Sequence, residues 1–561
     1  MKGYITTENY RASTKISSDK PENLDVLEVS RNSIGAFQLL FYDGNTNQIV
    51  LDQPLALPNN LNINTYRVDI ESDLQLSAHL IDYYQDDRDI YYADKILEEK
   101  RHIYTGDRMA PIYIEIPVDQ EIEPNEYKIR LRLFASPLVD SEKCVWEREL
   151  VVRILEHALP KEISKDFNLN IWQQPSNLAR TFGVESWGPE HLRLIKEMAK
   201  SLSKLGQKSI TVIGSEIPWK GWFSYAVKDY PADLFEYSMI QIHRNKDGNI
   251  NCDFHYLDQY LDSMMKAGID QEIDLFGWLG VWKAPFFPDV KDLKYPEPII
   301  LRYLDEEQQK FDYLNTKEQL QQYFEQVVKH LKKIGAWSKT YIVADEPKLN
   351  SLNAFKESIA ELKKVIPDAK FKVTFDKEEA LKELAPYVDY LVTSFNCTCQ
   401  NPELNSKQFY VCNYPDKPNT FLNSNLLETR LLPILAYWTK TDGLLRWAYN
   451  CWPENALTDI RYNTNNLPTG DLCLVYPSKS GHLLSSLRMK QLYRGIEDFA
   501  LLKQAEQRDY EKTQELVVTL LGEKDPKKWM QNSHLTQPAL FKQTEKQFKA
   551  FRQALLKLIV E

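Results

Sequence analysis

TYIVADEP, Thr340–Pro347, is a short apolar run that ends in two adjacent carboxylates, Asp345 and Glu346, and is closed by a proline. Tyr341, Ile342, Val343 and Ala344 carry no helical period and are mostly β-branched or aromatic, so they read as a buried strand of the parallel type. Acids at the C-terminal end of such a strand sit where α/β barrels place their chemistry. For an isolated DEP a mere loop start would be the better reading, so the surrounding chain has to decide.

Outward from this strand, strand-like and helix-like runs alternate. The strands are expected at Leu169–Trp172, Ser209–Gly214, Ile273–Leu279, Tyr341–Asp345, Phe371–Phe375, Asp389–Phe395, Phe409–Asn413 and Leu444–Asn450. Amphipathic helices are expected at Pro189–Leu205, Leu257–Ala267, Leu320–Leu331, Asn353–Val365 and Lys377–Leu384. Within Leu320–Leu331, the apolar residues Leu320, Tyr323, Phe324, Val327, Val328 and Leu331 follow the i, i+3, i+4 rule. Thr316 with Gln319 opens that helix as a capping-box signature, and Gly335 stops it. Eight strands, seven helical or long connections and a last helix at Leu484–Gln504 predict a (β/α)8 TIM-type barrel. A doubly wound open sheet is the alternative, but the chain has neither G-x-G-x-x-G nor G-x-x-x-x-G-K.

The N-terminal part has a different rhythm. From about Asn23 to Glu156, short alternating segments (Asp25–Ser30, Ile34–Tyr42, Leu74–Ile81, Ile112–Ile116, Tyr127–Phe134, Glu149–Leu155) are separated by turn-rich pieces such as Asp43-Gly44-Asn45. Such a pattern predicts an antiparallel β-sandwich that shapes or shields a catalytic neighbour. Leu159–Lys165 reads as a linker, and Leu540–Val560 as an amphipathic helix packed on the barrel's flank or in a homo-oligomer interface. The expected division is therefore 1–158 for the sandwich, 159–525 for the barrel and 526–561 for a helical extension.

Composition narrows the function. A net charge of −11 and the lack of a basic stripe argue against nucleic acid as a partner. Met1–Lys15 has no apolar core of a signal peptide and no stretch approaches the ~18 apolar residues of a membrane span, so a cytoplasmic protein without membrane contact is expected. Seven scattered cysteines fit a reducing compartment, and Cys397-Thr-Cys399, with no second pair or nearby His, reads as structural thiols. No G-x-S-x-G elbow or HExxH occurs, and the nine histidines have no ligand spacing, so neither a metal nor another cofactor is expected.

In a barrel the C-terminal strand ends converge on one face. They would bring together Trp172, Trp278, Asp345, Glu346, Asn396, Tyr414, Trp447, Tyr449, Asn450 and Trp452. Amides, phenols and indoles around a few acids suit a carbohydrate: polar groups for hydroxyls, flat rings for stacking. Neighbouring acids on one strand supply neither spacing of a two-carboxylate glycosidase, about 5–5.5 Å when retaining and about 6.5–9.5 Å when inverting. They suit better a substrate-assisted reaction, in which a 2-acetamido sugar's own carbonyl oxygen attacks and forms an oxazolinium ion. Glu346 would protonate the leaving oxygen, and Asp345 would orient the acetamido N–H and stabilise its developing charge. A phenol such as Tyr414 would hold the acetamido oxygen. A glycosidase for a sugar without the acetamido group, using Asp416, Asp376 or Glu216 as partner for Glu346, and a non-catalytic glycan-binding barrel remain alternatives. Arg488, Arg494, Glu497 and Asp498, at helical spacing, read as ion pairs that dock a helix. For the acids to act together, the chain must bend at Ala344–Pro347, because successive strand side chains point to opposite faces.

Gly443–Trp452 (GLLRWAYNCW), Asp471–Pro477 (DLCLVYP) and Ser485–Leu502 (SSLRMKQLYRGIEDFALL) resemble the C-terminal signature of DUF4091 proteins and glycoside hydrolase family 123. DEP, Trp172–Trp187 (WQQPSNLARTFGVESW) and Ile112–Phe134 look like that family too, in the same order along about the whole chain. The resemblance implies a β-sandwich followed by a barrel, and an exo-acting β-N-acetylgalactosaminidase that cleaves a 2-acetamido sugar from the non-reducing end of a small glycan. It assigns Asp345 to acetamido orientation and Glu346 to general acid/base catalysis.

Overall fold

The computed structural model describes residues 1–14, 21–51, 63–135, 141–218, 235–279, 301–314, 316–462, 467–535 and 543–561. Eight strands form one parallel sheet: β1 Asn168–Ile171, β2 Ser209–Ile213, β3 Glu272–Phe276, β4 Thr340–Ala344, β5 Phe371–Phe375, β6 Tyr390–Ser394, β7 Gln408–Tyr410 and β8 Gly443–Arg446. Their order is β1-β8-β7-β6-β5-β4-β3-β2. The two outer strands meet through a parallel bridge between Leu169 and Gln207, next to which the Lys208 N–H donates to Leu169 O at 2.9 Å. The sheet is thus nearly closed into a barrel. β2 and β5 are buried along their whole length, as expected of strands covered on both faces.

Helices fill the connections. Lys317–Lys333 buries the six apolar residues its period predicts; Thr316 accepts from the Gln319 N–H at 3.2 Å, and Gly335 takes a left-handed φ of 72° just past the end. Leu426–Thr439, between β7 and β8, is a helix that the sequence reading lacks. Its described residues from Leu426 to Trp438 are all buried and Pro433 lies inside it, so it has neither a polar face nor an uninterrupted run to betray it. It packs on Leu487–Arg508 at Gly495, where an added Cβ would collide with the Arg430 carbonyl and the Pro433 ring.

The N-terminal sheets have five and six strands. The pairing is mostly antiparallel, with two parallel exceptions: Val26–Arg31 beside Lys143–Ala158, and Asn47–Val50 beside Asn64–Ser72. Lys2–Thr7, ahead of the expected start near Asn23, is a strand paired with Ser33–Tyr42. Leu74 lies outside the strand Ser77–Gln85 that was expected to include it.

Helix Leu487–Arg508 joins the N-terminal sheets to the parallel sheet and its connections through buried ion pairs. Arg488 Nε donates to Asp94 at 2.8 Å, and its Nη1 donates to the carbonyls of Thr420, Gly470 and Cys473 at 2.7–2.9 Å. Arg494 Nε reaches Glu8 at 2.7 Å and its Nη1 pairs with Glu497, while Asp498 accepts from Arg430 at 2.6 Å and from Arg552 at 2.8 Å. The docking role expected of these residues is what their contacts describe. Arg552 belongs to helix Glu545–Val560, whose Phe548, Phe551 and Leu555 are buried, so that helix packs inside the molecule; Leu540 lies outside the described residues.

Candidate active site

The chain turns where β4 ends. Glu346 has φ 46°, a left-handed conformation that costs a non-glycine residue about 1–2 kcal/mol. Its backbone N–H donates to Thr374 O at 3.2 Å and to Thr374 Oγ1 at 3.1 Å, which anchors the bend to β5. The bend sends the two acids to different partners. Asp345 Oδ1 accepts a short bond from the Thr374 hydroxyl, whereas Glu346 Oε1 accepts from Tyr410 OH at 2.6 Å. Tyr410 closes β7, three strands round the sheet from β4, so the Glu346 carboxylate reaches across the mouth.

Both acids are half-buried. Burial pushes the Glu346 carboxyl up to about 7, helped by the charges of Asp345 and Asp376 and opposed by the Tyr410 bond and Lys348. Burial also raises Asp345, against the Thr374 bond and Lys348. Two acids this close resist ionising together, so the pair is biased towards keeping a proton into the neutral range, and Glu346, raised to about 7, is the group placed to carry it. A protonated carboxyl beside a carboxylate is a proton donor next to a stabiliser of positive charge.

The aromatic and amide residues expected at the mouth divide. Trp447 Nε1 donates to Asp471 at 3.2 Å, and Asp471 also accepts from Arg446 and Cys412. Burial, then the charges of Asp471 and Glu346, raise the Cys412 thiol, and Trp447, itself largely buried, is linked to Cys412 through Asp471. Asn396 is half-buried, two residues past β6, and Tyr414 is exposed beyond β7. The other five are packed away from solvent. Trp172 lies edge-on to Phe276 at 4.8 Å, and Trp278 packs on Phe324 at 4.6 Å. Tyr449 OH bonds Ser201 at 2.9 Å, Asn450 exchanges bonds with Gln174 at 3.0–3.1 Å, and Trp452 Nε1 donates to Val475 O at 2.8 Å. With 0–1% exposure, these five have no face left for a sugar, which corrects the expectation. Seven of the eight strands stop one to four residues earlier than expected, and β5 ends at Phe375 as expected, so residues placed at the rim sit in the connections behind it.

The same boundary error hid Tyr410. Strand β7 ends there and not at Asn413, so Tyr410 is the phenol bonded to Glu346, and Tyr414 lies exposed beyond the strand. Thr374 was missed as well, although it shares the penultimate position of β5 with no other polar candidate. Of the three alternative carboxylates, Glu216 is tied to Arg302 at 2.7 Å and Asp416 is exposed; Asp376 is near enough to raise both acids of the pair.

Acids at the mouth of a parallel sheet nearly closed into a barrel are where an enzyme of this architecture places its chemistry, and the comparisons supply the class. The family model described as glycoside hydrolase 123, catalytic domain, matches residues 172–505, more than half of the chain. The chain belongs to glycoside hydrolase family 123. In fold it is similar to a family 123 glycoside hydrolase from Clostridium perfringens, studied for glycolipid glycan hydrolysis, with a TM-score of 0.74 at 15% identity over 100% of this chain and 99% of that one. The endo-β1,6-glucanase BT3312 (TM-score 0.33, 10% identity, 60% of this chain and 75% of that one) and the GH10 xylanase of Thermobacillus composti (0.29, 13%, 60% and 98%) are too distant to add to this. No curated protein matches the chain. Among the described residues, no helix is long and apolar enough to cross a membrane.

Proposed function

We propose that the protein is an exo-acting β-N-acetylhexosaminidase, directed to N-acetylgalactosamine, that works through substrate assistance on a (β/α)8 barrel spanning 159–525, flanked by a sandwich at 1–158 and a helical extension at 526–561. The observation that carries the reading is the left-handed bend at Glu346, which lets two neighbouring acids serve one mouth with a single proton between them. The acetamido oxygen of the substrate attacks C1 while Glu346 gives its proton to the leaving oxygen; Asp345 holds the acetamido N–H as charge builds there. Glu346, now a carboxylate, takes a proton from water, whose oxygen opens the oxazolinium ring at C1 with net retention. Tyr410, already bonded to Glu346, steadies that carboxylate between the two steps. Trp447, Asn396 and Tyr414 are the proposed sugar contacts left at the rim.

A panel of aryl β-glycosides with and without the 2-acetamido group tests this. Hydrolysis of the N-acetylgalactosaminide, inhibition by a thiazoline mimic of the oxazolinium, and a loss of about 10²-fold or more in Asp345→Asn are expected. The proximity of Asp376 favours a second reading, a two-carboxylate glycosidase with Asp376 as partner of Glu346. Turnover of glycosides lacking the acetamido group, untouched by the thiazoline, would select that reading.

A further inference from the structure

A second pocket lies on the same end of the sheet, above β1 and β2. It encloses about 330 Å³, at the lower end of the ~300–1,000 Å³ usual for small-ligand sites. Its walls come from connections: Trp187 precedes helix Pro189–Leu205, Glu216 lies three residues past β2, and a small four-stranded sheet contributed by the β2–β3 and β3–β4 connections supplies Arg302 and Phe311.

Its chemistry is specific. Trp187 lies face to face with Tyr256, ring centres 5.1 Å apart and planes 8° from parallel. Trp187 is held at φ 65°, an outlier for so bulky a residue, and such strain gathers at ligand clamps. Arg302 sits 5.6 Å from the Tyr237 ring centre and 5.2 Å from that of Phe311, while its guanidinium bonds Glu216 at 2.7 Å. Tyr237 and Phe311 are nevertheless 41% and 65% exposed. Flat rings in water, set around a planar ion pair with hydrogen-bonding edges, match the C–H faces and vicinal hydroxyls of a sugar.

Position selects which sugar. Adjacent strands lie about 4.8 Å apart, so the end of β2 is roughly 10 Å from the end of β4, one to two sugar residues away. We propose that this pocket is the subsite for the leaving-group side of the glycan, which holds the second or third sugar beyond the bond cleaved at Glu346. The inference rests on the proposed glycosidase reading for its direction, not for the existence of the site.

The test is calorimetric binding to the full-length Glu346→Gln protein, which keeps the ligand intact. The ligands are three β-linked trisaccharides ending in N-acetylgalactosamine, N-acetylglucosamine or galactose, each with its matching methyl monosaccharide. At least one trisaccharide is expected to bind tenfold or more tightly than its methyl glycoside, and the added Arg302→Ala/Phe311→Ala pair should erase that margin. Because Phe311 is largely exposed, Phe311→Ala alone serves if the double variant is unstable. Equal affinity for long and short ligands, a margin that survives the substitutions, or binding by no ligand would each overturn the subsite. A margin that disappears in the variants, together with no turnover of any glycoside by the unmodified protein, would uphold the subsite and overturn the glycosidase reading.

Discussion

The carboxylates at the barrel mouth and those under helix Leu487–Arg508 are the same chemical groups in opposite circumstances. Burial alone would raise Asp94, but the charges of Arg488 and Arg11 hold it below its ordinary value; Arg430 and Arg552 do the same for Asp498. Asp345 and Glu346 are raised by burial first, with the charge of Asp376 adding to both and that of Asp345 adding to Glu346, and Lys348 acts on them too weakly to reverse it. Acids matched by arginines are fixed charges that hold two layers together. Acids left with one another keep a proton that can be moved, which is what acid/base chemistry requires.

The largest expected effect breaks the mouth. Glu346→Gln cannot donate a proton, so kcat on an N-acetyl-β-galactosaminide should fall about 10³-fold or more while substrate binding persists, measured by steady-state kinetics and calorimetry. A comparable blow at the interface should spare chemistry and strike the fold. Arg488→Met leaves Asp94 short of its closest cation, and about 3–5 kcal/mol should be lost in denaturant unfolding. Tyr410→Phe is a gentler test. It removes the donor that favours the Glu346 carboxylate, so kcat should drop roughly tenfold and the alkaline limb of the pH profile should move up by about half a unit. The smallest effect is on stability, and its sign differs between the regions. Glu346 binds its proton more tightly folded than unfolded, so it costs stability increasingly as pH rises from its ordinary 4.5 towards about 7; Glu346→Gln should raise Tm by about 2 °C at pH 8 and leave it unchanged at pH 4. Asp94 and Asp498, being lowered, contribute stability above their ordinary range, and that contribution fades as pH falls through their folded values.

Much of this contrast was legible in the chain. All eight parallel strands, the caps of Lys317–Lys333 and the docking role of Arg488 and Arg494 follow from apolar period and charge spacing. TYIVADEP located the acid pair and demanded a bend, and Glu346 supplies it. What periodicity does not carry is where a buried strand stops: Val411 and Cys412 keep the run apolar past Tyr410, with Val411 fully buried, and that overrun hid Tyr410. Nor does it separate a tryptophan that faces a ligand from one that faces a helix. Trp278 and Trp452 both lie near strand ends, yet their rings fill the layer outside the sheet. Leu426–Thr439 escaped because a helix buried all round has no amphipathic signal.

The pH dependence of kcat/KM for an aryl N-acetyl-β-galactosaminide most directly tests whether two neighbouring acids share one working proton. Activity that declines as pH rises through about 7, with that limb absent in Glu346→Gln, is the expected result. A profile flat from pH 5 to 9, with turnover surviving in Glu346→Gln, would contradict it.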